Sequence, residues 1–507
     1  MPRLEPGIAS LIPAILKSLD RTLGADLAPE IASANGKALV DMMRRLLRWS
    51  IVELEQHQTL YAARIEEGAA ALRDDPTEGA PAAGEGSNGA QASGLYKTPT
   101  PAEKKYFRAA DQAARSWLAE IGGSSAATAG GLASRLRRLI EAEARFHAAL
   151  DPESAADVAS AFHGGKSTDA EETLGSHLVT IDSLNAYLRR RFPESPRVEA
   201  RNLHLLTGGM GKDTYLFDLD GHPSWSGPVV MRKDLPLLAL DLSAVEEFPL
   251  IQAVYAAGVK APEPLWAESD PAQLGTRFIV VRRARGSVAL SQDVSDEKVR
   301  RHFADKLAEG LAAIHSLDPK GMRQFREAAD KSVPDALRDQ IAGWKAFWVR
   351  KRLEPSVKLE LAFAWLEANI PEDPGYAPTL VHADYGFHNL MMEAGEVTAI
   401  LDWEFSHVGD PAEDVNYCRQ FIARYVPFEY FLECYLRRGG RPYTEGQDRF
   451  FTVWRNVRNA VASIGALRAF CDETPGNIKM ATAGLAYNPR FELEALRLIA
   501  GYIEKAD

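Results

Sequence analysis

Between two apolar runs the chain reads His382-Ala383-Asp384-Tyr385-Gly386-Phe387-His388-Asn389. Asp384 precedes Asn389 by five residues. Thirteen residues beyond Asn389, Asp402 follows the short apolar run Ala399-Ile400-Leu401. Two carboxylates and a carboxamide on adjoining loops make a hard-oxygen set. Magnesium takes such ligands together with water and phosphate oxygens. Phosphoryl transfer uses such a set, because its transition state is stabilised mainly by positioning and charge neutralisation. Alone, each of these residues would read as a turn former or a cap. Their joint spacing, followed by a strand and Asp402-Trp403-Glu404, is what points to chemistry.

The pattern His-x-Asp-x-x-x-x-Asn followed by a strand and Asp resembles the catalytic loop of protein-kinase-like folds. The run VHADYGFHNLMM with AILDWEFSHVGDPAEDV resembles the aminoglycoside phosphotransferase and choline kinase-like family in particular. That resemblance implies ATP and Mg2+ as cofactors. It implies that Asp384 is the base that orients the acceptor hydroxyl and that His382 braces its loop. Asn389 and Asp402 would hold metal, and Glu404 would touch a second metal. Asp410 and Asp414 would be structural. His388 has no matching role and reads as a packing or surface histidine. A protein kinase fits less well, because Trp-Glu rather than Phe-Gly follows Asp402 and no activation segment comes after it.

Three further parts should position these residues. The first is a glycine-rich hairpin, LTGGMGKDTYLF, with Gly208, Gly209 and Gly211 between two β-type runs. Glycines let a backbone approach phosphate oxygens closely. A Walker A loop is excluded, because Leu206 stands where its first glycine belongs and Asp213 where its Ser or Thr belongs. Lys212 would add a phosphate contact or face water. The second part is a cation on the next strand, PVVMRKD, where alternation sends only one of Arg232 and Lys233 inward. The resemblance puts Arg232 in the nucleotide-pairing place, with Lys233 as the fallback. The third is a helix offering a carboxylate. In SAVEEFPLIQAVYAAG the matching position is Glu247, beside Glu246, in a first turn where a carboxylate also suits capping.

The expected architecture is α+β: a two-lobed protein-kinase-like fold preceded by an all-α helical domain. Residues 1–195 read as the helical domain, with stripes such as Ile8, Leu11, Ile12, Ile15, Leu16 and Leu19, and Leu39, Met42, Met43, Leu46 and Leu47. Within it, residues 74–95 are Gly-, Ala-, Ser- and Pro-rich and read as a flexible loop or linker. A second break is expected over 121–131, and Arg135, Arg137 and Arg138 read as a solvated face. Residues 196–286 read as the N-lobe. Residues 287–507 read as the C-lobe, with the catalytic loop and acceptor-site helices.

The chain has 507 residues, ample for a full core, and 46% hydrophobic residues, which excludes a wholly disordered polymer. Its formal charge of −11 makes it a poor general binder of phosphate backbones, so no nucleic-acid partner is expected. Three cysteines make no disulfide framework, and no apolar stretch reaches membrane-spanning length. MPRLEPG lacks the build of a secretory signal. A cytoplasmic protein without a membrane partner is expected, with a homodimer through the helical domain as a possible assembly.

The resemblance places the acceptor among the C-terminal helices. Residues 415–507 carry 13 Lys and Arg against 10 Asp and Glu, which disfavours a polycationic acceptor. Arg455 and Arg458 lie three apart, on one helical face, where they could hold an anionic or acyl-CoA-type acceptor or pack their stems on the surface. The expectation is thus an ATP- and Mg2+-dependent kinase of a small-molecule hydroxyl. The rival is a nucleotide-binding pseudokinase, a regulatory module working through its helical N-terminal domain.

Overall fold

The computed structural model describes residues 34–71, 126–150, 179–206, 211–289, 296–353, 355–423, 425–472 and 478–505, with Lys17, Asp20 and Leu23 before them. The segment 74–95 and the stripe from Ile8 to Leu19 lie outside the described residues, as do Gly208 and Gly209.

Three helices lead: α1 (Ala34–Ala71), α2 (Ala126–Leu150) and α3 (Ile181–Arg191). The break expected over 121–131 does not extend to Ala126–Gly131, which open α2. Gly130 and Gly131 fall in its second turn, where each costs about 1 kcal/mol relative to alanine and the packing of the apolar stripe that follows outweighs it. Of the arginine cluster, Arg137 is exposed but Arg135 is buried, so the purely solvated reading fails for that residue.

Strands β1 (Glu199–Leu206), β2 (Lys212–Asp220), β3 (Gly227–Asp234), β4 (Pro264–Glu268) and β5 (Phe278–Arg282) form one antiparallel sheet in the order β1-β2-β3-β5-β4. Between β3 and β4 runs α4 (Ala244–Ala256). The short β4 was hidden in sequence by Pro262 and Pro264. It sits at the sheet edge, where proline removes no ladder bond. Alternation splits the sheet into two faces. Tyr215, Phe217, Val229, Met231 and Val280 pack with Leu184, Tyr187 and Leu188 of α3. Ile279 and Val281 pack on the other face with Phe248, Ile251 and Val254 of α4.

The remainder is mainly helical. After β6 (Ser287–Val288) come α5 (Glu297–His315), α6 (Arg326–Ala329), α7 (Val333–Lys351) and α8 (Val357–Ala368). Strands β7 (Thr379–Val381), β8 (Leu390–Glu393), β9 (Glu396–Ile400) and β10 (His407–Gly409) then carry the polar loops. They pair as β10-β7 and as β6-β8-β9. The chain ends in α9 (Ala412–Ile422), α10 (Phe428–Arg437), α11 (Glu445–Cys471), α12 (Ile478–Thr482) and α13 (Asn488–Lys505). Among the described residues no helix is long and apolar enough to cross a membrane.

The leading helices share the core of this helical lobe. Leu132, Leu136 and Leu139 of α2 pack with Leu493 and Leu496 of α13 and with Trp348, Phe363 and Trp454. A buried ionic network crosses the same seam. Glu143 accepts from Arg64 at 3.1 Å and from Lys358, and Lys358 reaches Glu492 at 3.2 Å. Each charge has a partner, which is what makes such burial tolerable.

Candidate active site

The loop after β7 is held by one buried carboxylate. Asp414, in the first turn of α9, accepts the backbone N–H groups of His382 at 2.8 Å and Ala383 at 2.7 Å. It also meets His315 Nε2 at 3.1 Å. Burial works to raise the Asp414 carboxyl, but His315 and these donors hold it below the usual carboxylate range. The two backbone bonds sustain an otherwise unfavourable conformation, because Ala383 sits at φ +65°.

His382 joins two loops. Its Nδ1 accepts the N–H of Asp384 at 3.3 Å, and its Nε2 lies 3.0 Å from the carbonyl of Leu401. Those partners require a neutral ring protonated at Nε2. Full burial pushes its pKa down, in keeping with that tautomer. The ring also packs on Trp403, with centroids 4.7 Å apart. A backbone bond from Leu401 N–H to Asn389 O, 2.8 Å, closes the same seam. Asp384, Asn389 and Asp402 are brought together in this way.

Both oxygens of Asp384 are engaged. Oδ2 accepts from Asn389 Nδ2 at 2.8 Å. Oδ1 accepts from the Tyr417 hydroxyl and lies 3.2 Å from His388 Nε2. Burial would raise this carboxyl, yet His388 and Tyr417 hold it well below the usual carboxylate range. It is therefore anionic. Asn389 commits its amide nitrogen to Asp384, so its oxygen is the atom left for a metal.

Asp402 sits at φ +66°, a second left-handed non-glycine residue in the site. Arg232 spans two carboxylates from β3, with Nη2 donating to Asp402 Oδ1 at 2.6 Å and Nη1 to Glu247 Oε1 at 2.7 Å. Burial opposes the charge on Arg232, but Glu247 and Asp402 outweigh it and raise its pKa. Glu247 Oε1 also accepts the backbone N–H of Trp403 at 3.1 Å, tying α4 to the Asp402 turn.

The strand and the helix are locked by a cap. Asp234, at the end of β3, accepts from Ser243 Oγ at 2.5 Å and from Ala244 N–H at 2.8 Å at the start of α4. Glu246 completes the capping box through the Ser243 N–H. The capping and functional readings of Glu246-Glu247 thus separate: Glu246 caps, and Glu247 enters the site. Lys212, on the same face of the sheet as Arg232, donates to Glu404 Oε2 at 2.7 Å and lies 3.8 Å from Glu247 Oε2. A Cβ on Gly211 would stand 3.4 Å from Glu404. Burial, then the nearby Asp402 charge, raises the Glu404 carboxyl.

The structure does not bring Lys233 into this group. It is buried on the opposite face with Val229 and Met231, where burial lowers its pKa. Two residues without a role in the family resemblance, His388 and Tyr417, touch Asp384. One signal for Tyr417 was present: it follows Asp414 by three residues, on one face of a helix. Among the described residues no three His, Cys, Asp or Glu side chains cluster as a preassembled metal cage. Asp402, Asn389 and Glu404 offer the partial oxygen set with which magnesium, held largely by phosphate and water, is compatible.

With this geometry in view, residues 202–448 match the phosphotransferase enzyme family model, APH. Across those residues the chain is similar to this phosphotransferase family. Acyl-CoA dehydrogenase family member 11 of Gallus gallus is 30% identical over 258 residues, covering 49% of this chain and 32% of that protein. The Rattus norvegicus protein of that name is 27% identical, covering 50% and 32%. The chain thus spans about a third of the length of these curated relatives. Aminoglycoside phosphotransferase APH(4)-Ia, in a ternary complex with ADP and hygromycin B, is 20% identical with a TM-score of 0.43. That likeness covers 62% of this chain and 98% of the other.

Proposed function

We propose that this chain is an ATP- and Mg2+-dependent kinase of a small-molecule hydroxyl. The observation that carries the reading is the Arg232 guanidinium, stretched between Glu247 on α4 and Asp402, next to the Asp384–Asn389 pair. Phosphoryl transfer asks a protein for positioning and charge, and these residues supply both.

In this reading Arg232 and Lys212 contact the triphosphate. Glu247 fixes the Arg232 head, so that little side-chain freedom is lost on binding. Asn389 and Asp402 would hold the metal, with Glu404 beside them. A bound divalent cation supplies neutralisation of the phosphate charge. Asp384 accepts a hydrogen bond from the acceptor hydroxyl, aims it at the γ-phosphate and takes its proton as the bond forms. The carboxylate is anionic and so accepts the hydrogen bond. Its lowered pKa makes it a weak base, so orienting the hydroxyl is its main contribution and the proton moves late. His382 is a positioning residue, buried and joined to both loops.

The weakly basic C-terminal region favours an acceptor that is not a polycation. The matched relatives carry acyl-CoA in their names, which supports including hydroxyl-bearing acyl-CoA esters among the acceptors tested. Cys418 and Cys434 are thiols rather than half-cystines, which agrees with a reducing, cytoplasmic setting.

The test is an ADP-release assay with Mg·ATP across a panel of hydroxyl acceptors. Acceptor-dependent ADP formation that disappears in Asp384→Asn, with nucleotide affinity retained, is the expected result. Nucleotide binding with no turnover on any acceptor would instead favour the regulatory, pseudokinase reading.

A further inference from the structure

The three arginines around Tyr417 are not equally paired. Arg458 of α11 donates to Glu413 Oε1 at 2.8 Å. The same carboxylate takes Trp454 Nε1 and His407 Nε2, each at 3.1 Å. Arg419 is paired with Asp448, whose Oδ1 also accepts the Tyr443 hydroxyl at 2.6 Å and Asn416 Nδ2 at 3.2 Å. Arg455, one turn before Arg458, is different. Among the described residues its hydrogen bonds go to Asn416 alone, at 3.5 Å from the backbone oxygen and 3.4 Å from Oδ1. Among the described residues no carboxylate lies within ion-pair distance of it. Burial depresses its pKa and the Arg458 charge adds to that, while Tyr417, Tyr443 and Asp448 oppose it without offsetting it. A half-buried guanidinium facing a second arginine, with weak neutral contacts, is held at a cost that an anion would relieve.

Its position gives that anion a role. Asn416 precedes Tyr417 on α9, and the Tyr417 hydroxyl bonds to Asp384. The Arg455 head thus contacts the residue next to the tyrosine that bonds Asp384, the carboxylate that faces the acceptor hydroxyl in the kinase reading. We infer that Arg455 anchors an oxyanion, a carboxylate or a phosphate group, carried by the acceptor several bonds from the hydroxyl that is phosphorylated. The inference rests on the kinase reading above and deepens it. The planar fork of arginine matches either oxyanion in bidentate fashion, which an ammonium cannot do. Arg458, already neutralised by Glu413, is not part of the anchor.

Two measurements test this separately from the kinase reading. Inorganic phosphate is titrated by calorimetry into the full chain saturated with Mg·AMP-PNP, for the wild type and for Arg455→Met. The wild type should bind, and the variant should lose about tenfold or more in affinity, the range of a charge-assisted hydrogen bond. Arg455→Lys should recover part of it, which separates charge from fold. Equal binding by wild type and Arg455→Met, or no binding by the wild type, overturns the anchor. This comparison reads Arg455 even if no phosphotransfer is found.

The second measurement is ADP release with ω-hydroxyalkanoates, ω-hydroxyalkyl phosphates, the matching diols and the matching amino alcohols. An oxyanion-bearing series should be preferred, and the choice between the first two identifies the group. Arg455→Met should raise the KM for that series about tenfold while leaving KM for ATP in place. Preference for diols or amino alcohols, or an unchanged KM, refutes the proposal.

Discussion

Asn389 donates its side-chain amide to two oxygens of Asp384 at once, the backbone carbonyl at 3.0 Å and Oδ2 at 2.8 Å. One side chain thereby fixes both the loop and the carboxylate rotamer of the residue five positions earlier. The remaining oxygen, Oδ1, is steadied by Tyr417 and His388. Gly386 makes room for this packing, since a Cβ there would stand 2.8 Å from the His388 and Phe421 rings.

Tyr417→Phe removes one donor to Asp384 and keeps the ring. The expected outcome is a kcat lowered about tenfold with KM for ATP unchanged, because the lost contact acts on the base and not on the phosphates. Steady-state kinetics with the identified acceptor check it. A rise in KM for ATP with kcat preserved would show that Tyr417 acts elsewhere.

Arg232→Lys keeps the charge but cannot span Glu247 and Asp402 together, and KM for ATP should rise about tenfold. Arg232→Met should in addition lower stability by about 3–5 kcal/mol, because Glu247 is left buried without its closest cation. Denaturant unfolding of the two variants separates these effects.

The chemistry-bearing loops were legible because their information is local. Asp384, Asn389 and Asp402 lie within one short stretch of sequence, and two tight turns bring them together. Arg232 and Lys233 could not be told apart by alternation alone. Only the sheet register shows that Lys233 falls with Met231 on the α3 side. Tyr417 and Arg455 reach the site through helix packing, which sequence spacing does not encode. The apolar stripe of α2 was readable as a helix face, but its partner α13 begins more than 300 residues later. The resemblance implies a structural Asp414, but that this carboxylate holds the strained Ala383 follows only from the packing of α9 on the loop.

The seam between α2 and α8 makes stability depend on pH. Burial pushes His147 down to about 4 from an ordinary value of 6.5. Between those values the unfolded chain binds a proton that the folded chain refuses, so stability is lost as pH falls through that window. The full effect is about 3 kcal/mol. Glu143 is opposed by burial but held low by Arg64 and Lys358, so its own contribution is lost only at more acid pH, below 4.5. The thermal midpoint should therefore fall between about pH 7 and about pH 5, and His147→Gln should flatten that slope.

Asn389→Ala takes away the clamp on Asp384 and, in the proposed kinase, an oxygen that faces the metal. Both kcat and metal affinity should fall, with the Mg2+ concentration for half-maximal rate rising about tenfold or more. Titration of the rate with Mg2+ at fixed ATP reads this directly. An unchanged Mg2+ requirement would leave Asn389 as a loop brace only.

The most direct test is calorimetric titration of AMP-PNP into the intact protein, with Mg2+ and with EDTA, for the wild type and Asp402→Asn. The account predicts saturable binding that requires the metal in the wild type and weakens at least tenfold in the variant. Equal affinity with and without Mg2+, or no nucleotide binding at all, would contradict it.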